Sequence, residues 1–132
     1  MDNKRTESEK LTLNLGYVDL GRIDVMVSEG FYANRSDFIR TAIRNQLFSH
    51  AATVEHTVQR NMMDLGVREF TLLDLEQAVV SGQKLIIKVV GLVRITDDVT
   101  PELAIAAIES LEVLGALQAS TAVKKALVDR IS

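Results

Sequence analysis

The sequence predicts an α+β chain in two parts. A short strand-helix-helix segment that closes only as an intertwined dimer comes first, and a small α/β module of βα repeats follows. Three observations predict this. Residues 10–15 (KLTLNL) alternate polar and apolar at period two, which marks a half-buried strand, yet no hairpin turn or second strand follows. Two helical patterns with capping signals come directly after it. Further on, Gly91 and Gly115 sit 24 residues apart in two aliphatic stretches, with a weaker echo at Leu65-Gly66-Val67, 25 residues before Gly91. Repeats of that length suggest stacked supersecondary units.

Composition sets the bounds. The chain has 132 residues, enough for one ordinary domain or two small ones. Hydrophobic residues make up 47%, which excludes a disordered chain, and only 5% are aromatic, so the core is aliphatic. No apolar run is long enough for a membrane span. Residues 1–10 are polar and charged, without the apolar stretch of a secretory signal. There is no Cys, hence no disulfide, thiolate metal site or Cys nucleophile. The expected location is the cytoplasm. Residues 1–50 carry seven Lys/Arg and seven Asp/Glu, and the rest carry eight and eleven, so the net charge of -3 belongs to the second part. Charge therefore neither favours nor excludes nucleic-acid binding by the first part.

The strand of residues 10–15 turns Leu11, Leu13 and Leu15 to one face and Lys10, Thr12 and Asn14 to the other. Over residues 18–28, Leu20, Ile23, Met26 and Val27 recur at helical spacing, and Gly30 is placed to end that helix in the left-handed conformation. Asn34, with Asp37 three residues on, reads as an N-cap with a capping-box acid. A second helix over residues 35–48 has an apolar face of Phe38, Ile39, Ala42, Ile43 and Leu47, with Arg40 and Arg44 on its other side. Forty residues cannot bury enough surface alone. Two copies can, if their strands pair antiparallel and four helices close over the leucines. The predicted dimer core is Leu11, Leu13, Leu15, Ile23, Val27, Phe38, Ile39 and Ile43. Lys10, Thr12 and Asn14 of both chains then line the outer face of a two-stranded ribbon. Such a ribbon fits the DNA major groove, where these side chains reach base edges. The start of the second helix, with its free N–H groups and Arg35, forms a phosphate clamp.

At residues 10–47 the sequence resembles the ribbon-helix-helix family of DNA-binding regulators. The resemblance rests on the strand KLTLNL, on Glu29-Gly30-Phe31-Tyr32, and on the block Asn34-Arg35-Ser36-Asp37-Phe38-Ile39-Arg40. It implies an obligate dimer that reads double-stranded operator DNA with Lys10, Thr12 and Asn14 and holds the backbone with Asn34, Arg35 and Ser36. The strand lacks a second basic residue where Asn14 stands, which shifts phosphate affinity toward Lys4, Arg5 and the second helix. The nickel-responsive members of the family bind metal through His and Cys. This chain has no Cys, and His50 and His56 sit about 240° apart on a helix, so no metal and no cofactor is expected.

The expected organisation is a flexible arm (1–9), the DNA-binding domain (10–50), a helical linker (51–65) and an oligomerisation module (66–132). Val54, Val58, Met62 and Leu65 suggest one helix over residues 51–64, with both Met as core filler. Helices are also expected over residues 72–80, 103–110 and 122–130, the last two with Thr100 and Ser120 or Thr121 as caps and Pro101 at the first helical position. Strands are expected over residues 85–95 and 112–117. Short strand-helix repeats imply parallel strands with helical crossovers. No catalytic constellation is present, and Asp97-Asp98 reads as turn chemistry. The expected function is transcriptional repression, with the module joining dimers into tetramers or larger assemblies. Two other readings stay open: an antitoxin-type autorepressor whose tail binds a protein partner, and a DNA-anchored structural protein of partition.

Overall fold

A computed structural model describes residues 7–132. Lys4 and Arg5 lie outside the described residues. Two compact units divide the chain, Ser8–His56 and Thr57–Ser132.

The first unit holds α1 (Tyr17–Ser28) and α2 (Arg35–Ser49). α1 ends as its sequence predicts. Gly30 takes φ 85°. Its N–H donates to the Val27 carbonyl at 3.0 Å, and the Phe31 N–H donates to Met26 at 3.0 Å. These bonds occupy carbonyls that the helix end would leave open. Asn34 caps α2, its side chain accepting from the Asp37 N–H at 2.8 Å. The Asp37 carboxylate reaches past the cap and accepts from the Ala33 N–H at 2.9 Å. Tyr32 and Phe38 pack edge to face, 4.9 Å between centroids, and close the turn with an apolar contact. Residues 10–15 lie outside every helix and strand. The predicted strand is therefore not formed within one chain, because a β-ladder needs a neighbour for its N–H and C=O groups.

α3 (Ala51–Arg60) crosses the division between the units. It stops short of the predicted end at residue 64. Met62 adopts φ 55°, with Met62 N–H donating to Gln59 and Met63 N–H to Val58. This is the same terminating arrangement as at Gly30, made with a side-chain-bearing residue at roughly 1–2 kcal/mol of backbone strain. No glycine advertises it, so periodicity overran it. Only Met63 is buried; Met62 is exposed rather than core filler.

The second unit continues with β1 (Asp64–Phe70), α4 (Leu72–Ser81), β2 (Leu85–Ile95), α5 (Pro101–Ala107), β3 (Ile108–Gln118) and α6 (Thr121–Ala126), then a 3-10 turn, Val128–Arg130. Each helix starts on a side-chain hydroxyl. Thr71 accepts from the Asp74 N–H while Asp74 accepts from the Thr71 N–H, a full capping box. Thr100 and Ser120 accept from the N–H groups of Leu103 and Val123. α5 ends three residues before the predicted boundary, and β3 starts at Ile108 instead of residue 112. The Arg130 guanidinium donates to the Ile105 and Ile108 carbonyls, satisfying the end of α5. Ile108 and Leu111 then enter the core completely. α6 likewise gives way to the 3-10 turn at Val128 before residue 130.

The three strands form a parallel sheet in the order β1-β2-β3. One face packs against the helices. Val89, Val93 and Ile95 of β2 share a cluster with Leu75, Ala104, Leu111, Val123 and Leu127, all fully buried. The register explains the repeat. Gly66 pairs with Gly91, and Gly91 with Gly115. All three adopt φ between 129° and 136°, a region side-chain-bearing residues rarely occupy. A Cβ at Gly91 would lie 2.1 Å from the Gly66 carbonyl oxygen, and one at Gly115 would lie 2.0 Å from that of Gly91. The Gly66 and Gly91 carbonyls each point at the next glycine along the row, so Gly91 and Gly115 leave no room for a side chain.

Gly91→Ala is expected to cost about 3 kcal/mol, from backbone strain alone with the collision adding to it. Both tyrosines, Tyr17 and Tyr32, lie in the first unit. Urea unfolding followed by far-ultraviolet circular dichroism should show an early transition, while tyrosine fluorescence reports an unchanged first unit. A single unshifted transition by both probes would contradict the role of the row.

Candidate nucleic-acid interface

The turn between α1 and α2 sets the geometry of the site. Gly30 reverses the chain, and Asn34 starts α2 so that its first turn faces outward. The N–H groups of Arg35 and Ser36 have no acceptor among the described residues. A helix start in this state carries a partial positive charge and open donors. Arg35 is not an unengaged cation. Its Nε and Nη2 donate to the two carboxylate oxygens of Asp24, both at 2.9 Å. This fork ties the first residue of α2 to the middle of α1. The hydrogen bond from Arg35 holds the Asp24 carboxyl below the ordinary aspartate range, and the same contact raises the Arg35 guanidinium. Sequence reasoning missed Asp24, since opposite charges eleven positions apart are too common to signal a pair.

Lys10, Thr12 and Asn14 are all exposed in the segment before α1, as are Asn34 and Ser36. The predicted dimer-core residues divide. Leu13, Leu15, Ile23, Phe38, Ile39 and Ile43 line one apolar groove of about 520 Å³. Asp19 and Arg22 also border it, and they approach each other to 3.7 Å. Val27 is half-buried. Leu11 is 80% exposed and Leu13 61%. Only Ile23 of the eight is buried within the single chain. A unit that leaves a leucine face and a lined groove uncovered presents a surface that association would bury. Among the described residues, no group of three or more His, Cys, Asp or Glu is placed to hold a metal ion, and no helix is long and apolar enough to cross a membrane.

The profile of the ribbon-helix-helix transcriptional regulator family matches residues 6–124. The chain belongs to this family. The match extends beyond the strand-helix-helix segment and through most of the sheet unit, so the C-terminal unit of this ribbon-helix-helix regulator falls within the family pattern too. No curated protein and no solved structure matches the chain.

Two outcomes are expected. Leu13→Asp places a charge on the groove that association would bury, so sedimentation should show full-length protein as a smaller species than the wild type, with the C-terminal unit still folded by circular dichroism. A variant that sediments as the wild type would exclude this groove as the dimer surface. The second concerns acid. Because the folded carboxyl of Asp24 is depressed, its contribution to stability is complete above the unfolded aspartate pKa and is lost as pH falls through the folded value. Tyrosine fluorescence during acid titration should therefore show the first unit loosening in that window. Asp24→Asn should flatten that part of the curve; an unchanged curve would mean the fork adds no stability.

Proposed function

We propose that this regulator is a dimeric, sequence-specific repressor that inserts a two-stranded ribbon into the major groove of operator DNA. The observation that carries the reading is the pairing of surfaces around residues 10–15. Leu13 and Leu15 line an open apolar groove, while Lys10, Thr12 and Asn14 are exposed. A second copy supplies the antiparallel strand that one chain lacks and covers the leucines. Six polar side chains, three per chain, then stand on the ribbon's outer face, within reach of base edges. The starts of both α2 helices approach the phosphates through backbone N–H groups and the Asn34 and Ser36 side chains. Arg35 acts there chiefly by holding α2 against α1, with its remaining N–H groups available to phosphate. Lys4 and Arg5 add backbone charge.

The C-terminal unit favours an assembly role over an antitoxin-type tail. It has a fully buried core of its own, so it does not depend on a partner protein for folding. Its sheet ends in β1 on one side and β3 on the other. Joined dimers would gain avidity of ~10²–10⁴ on paired operators without new DNA contacts.

Operator selection followed by gel-shift titration tests the reading. Thr12→Ala and Asn14→Ala should each lose ~1–3 kcal/mol of discrimination between operator and random DNA. Arg35→Ala should weaken both kinds of DNA together. If Asn14→Ala binds a selected operator as well as the wild type does, the ribbon is not the reader.

A further inference from the structure

β1 lies at one end of the sheet, with β2 on one side and no strand on the other among the described residues. Residues 64–70 (DLGVREF) hold neither the lysine nor the proline that commonly guards an edge. Gly66 turns its carbonyl toward β2, its oxygen 2.1 Å from a Cβ built on Gly91. Alternation along the strand then sends the N–H and C=O groups of Leu65 and Val67 outward. The side chains of these two residues are exposed as well. Asp64 and Arg68 occupy the other side of the strand. They form an ion pair, and the Arg68 guanidinium lies 5.1 Å over the ring of Phe70, which enters the core.

This edge is complementary to itself. Rotating a second copy about a two-fold axis at Gly66 sets the two β1 strands antiparallel. Leu65 then falls opposite the second copy's Val67, and Asp64 opposite its Arg68, each pair occurring twice. The backbone groups of Leu65 and Val67 point outward, so these residues make the hydrogen-bonded pairs of the ladder. Gly66 meets its own copy at the non-bonded position, where backbones approach to about 4.5 Å, and it brings no side chain to the crossing. Opposite charges and aliphatic pairs across strands both stabilise a ladder. An axis at Val67 would instead set Leu65 against Glu69 and Arg68 against glycine. The helical layer agrees. α4 joins β1 to β2 and is therefore the helix on the β1 side. Its Leu73 and Val80, seven positions apart on one stripe, are exposed. The same axis lays α4 antiparallel beside its copy, with each Leu73 toward the other copy's Val80.

We infer that a second copy of this chain docks on the C-terminal unit edge to edge, β1 against β1 and antiparallel, with the two-fold axis at Gly66. This rests on the assembly role proposed for the unit and names the surface that performs it. The contact is isologous: both copies use the same patch, and it closes at two sheet units. The proposed ribbon dimer draws on residues of the first unit, so the two contacts share no residue and one chain can make both.

The chain's lack of cysteine makes cross-linking a clean test. Leu65 and Val67 are 67% and 49% exposed, so Leu65→Cys and Val67→Cys leave the core untouched. Opposite each other in the inferred register, their Cα atoms stand about 5.5 Å apart, within disulfide range. Leu65 and its own copy stand on a diagonal of about 7–8 Å, beyond that range. Full-length Leu65→Cys and Val67→Cys proteins carrying different tags should form a mixed disulfide on mild oxidation. Each should link to itself no more than it links to Ile86→Cys, an exposed position on β2 away from the edge. The charges supply a second measurement. Asp64→Arg and Arg68→Asp each set like charges across the axis, so each should sediment at about half the mass of full-length wild type. An equimolar mixture of the two should regain that mass, because the reversed charges complement each other between the variants. Absent mixed disulfide, self-linking as strong as the mixed product, or a mixture that fails to regain mass would each overturn the inference. One-site gel shifts on the reduced cysteine variants keep the readings apart. Loss of operator binding with the mixed disulfide intact counts against the repressor reading alone.

Discussion

A strand cannot stand alone, and that constraint governs both halves of this regulator. Every backbone N–H and C=O away from water needs a partner, and an extended segment finds it only in a neighbouring strand. In the first unit no strand among the described residues supplies that neighbour. Residues 10–15 stay irregular, with Leu11 and Leu13 exposed, beside a groove that Ile23, Phe38 and Ile39 line. In the second unit β2 is satisfied on both sides, while β1 and β3 each keep an outer edge. The single chain ends a strand segment without a second neighbour at the same kind of place twice, which is why association is proposed for both units.

The two units meet the constraint by different routes. The strand-helix-helix unit has little buried surface and relies on local chemistry: the glycine turn after α1, the Asn34 cap and the Arg35–Asp24 fork hold two helices at a fixed start. That chemistry also orients the first turn of α2, the part proposed to meet phosphate. The sheet unit relies on repetition. Three strands, three hydroxyl-capped helices and a glycine row repeat one pattern, and the aliphatic core follows from stacking it. Substituting Gly91 or Gly115 disturbs neighbouring backbone, whereas substituting Arg35 disturbs a surface tie whose partner remains solvated.

Much of this was legible in the chain. Period-two alternation set Leu13 and Leu15, which line the groove, apart from Asn14, although residues 10–15 form no strand within one chain. Capping rules located Gly30, Asn34, Thr100 and Ser120, because those motifs depend on side chains within three or four positions of one another. The 24-residue interval marked Gly91 and Gly115 as equivalent, and β2 has the predicted ends. Boundaries decided by distant groups were not legible. Helix α5 yields to β3 where Arg130 reaches the Ile105 and Ile108 carbonyls from 25 and 22 residues away. Helix α3 stops at a left-handed methionine, which no composition rule flags. The fork between Asp24 and Arg35 depends on how two helices cross.

By itself the sequence determined which segments alternate, which residues cap, where glycine interrupts aliphatic runs, and that residues 10–47 resemble a DNA-binding family. These are local or periodic properties, set by bond geometry and by the spacing of apolar side chains. Only the tertiary structure decided that Gly66, Gly91 and Gly115 form one row, that β1 is a full strand of the sheet, and that Arg35 has a carboxylate partner. Register is the reason. Which residue lies beside which across strands or helices is settled by packing the whole core at once, and no window of the sequence contains that information.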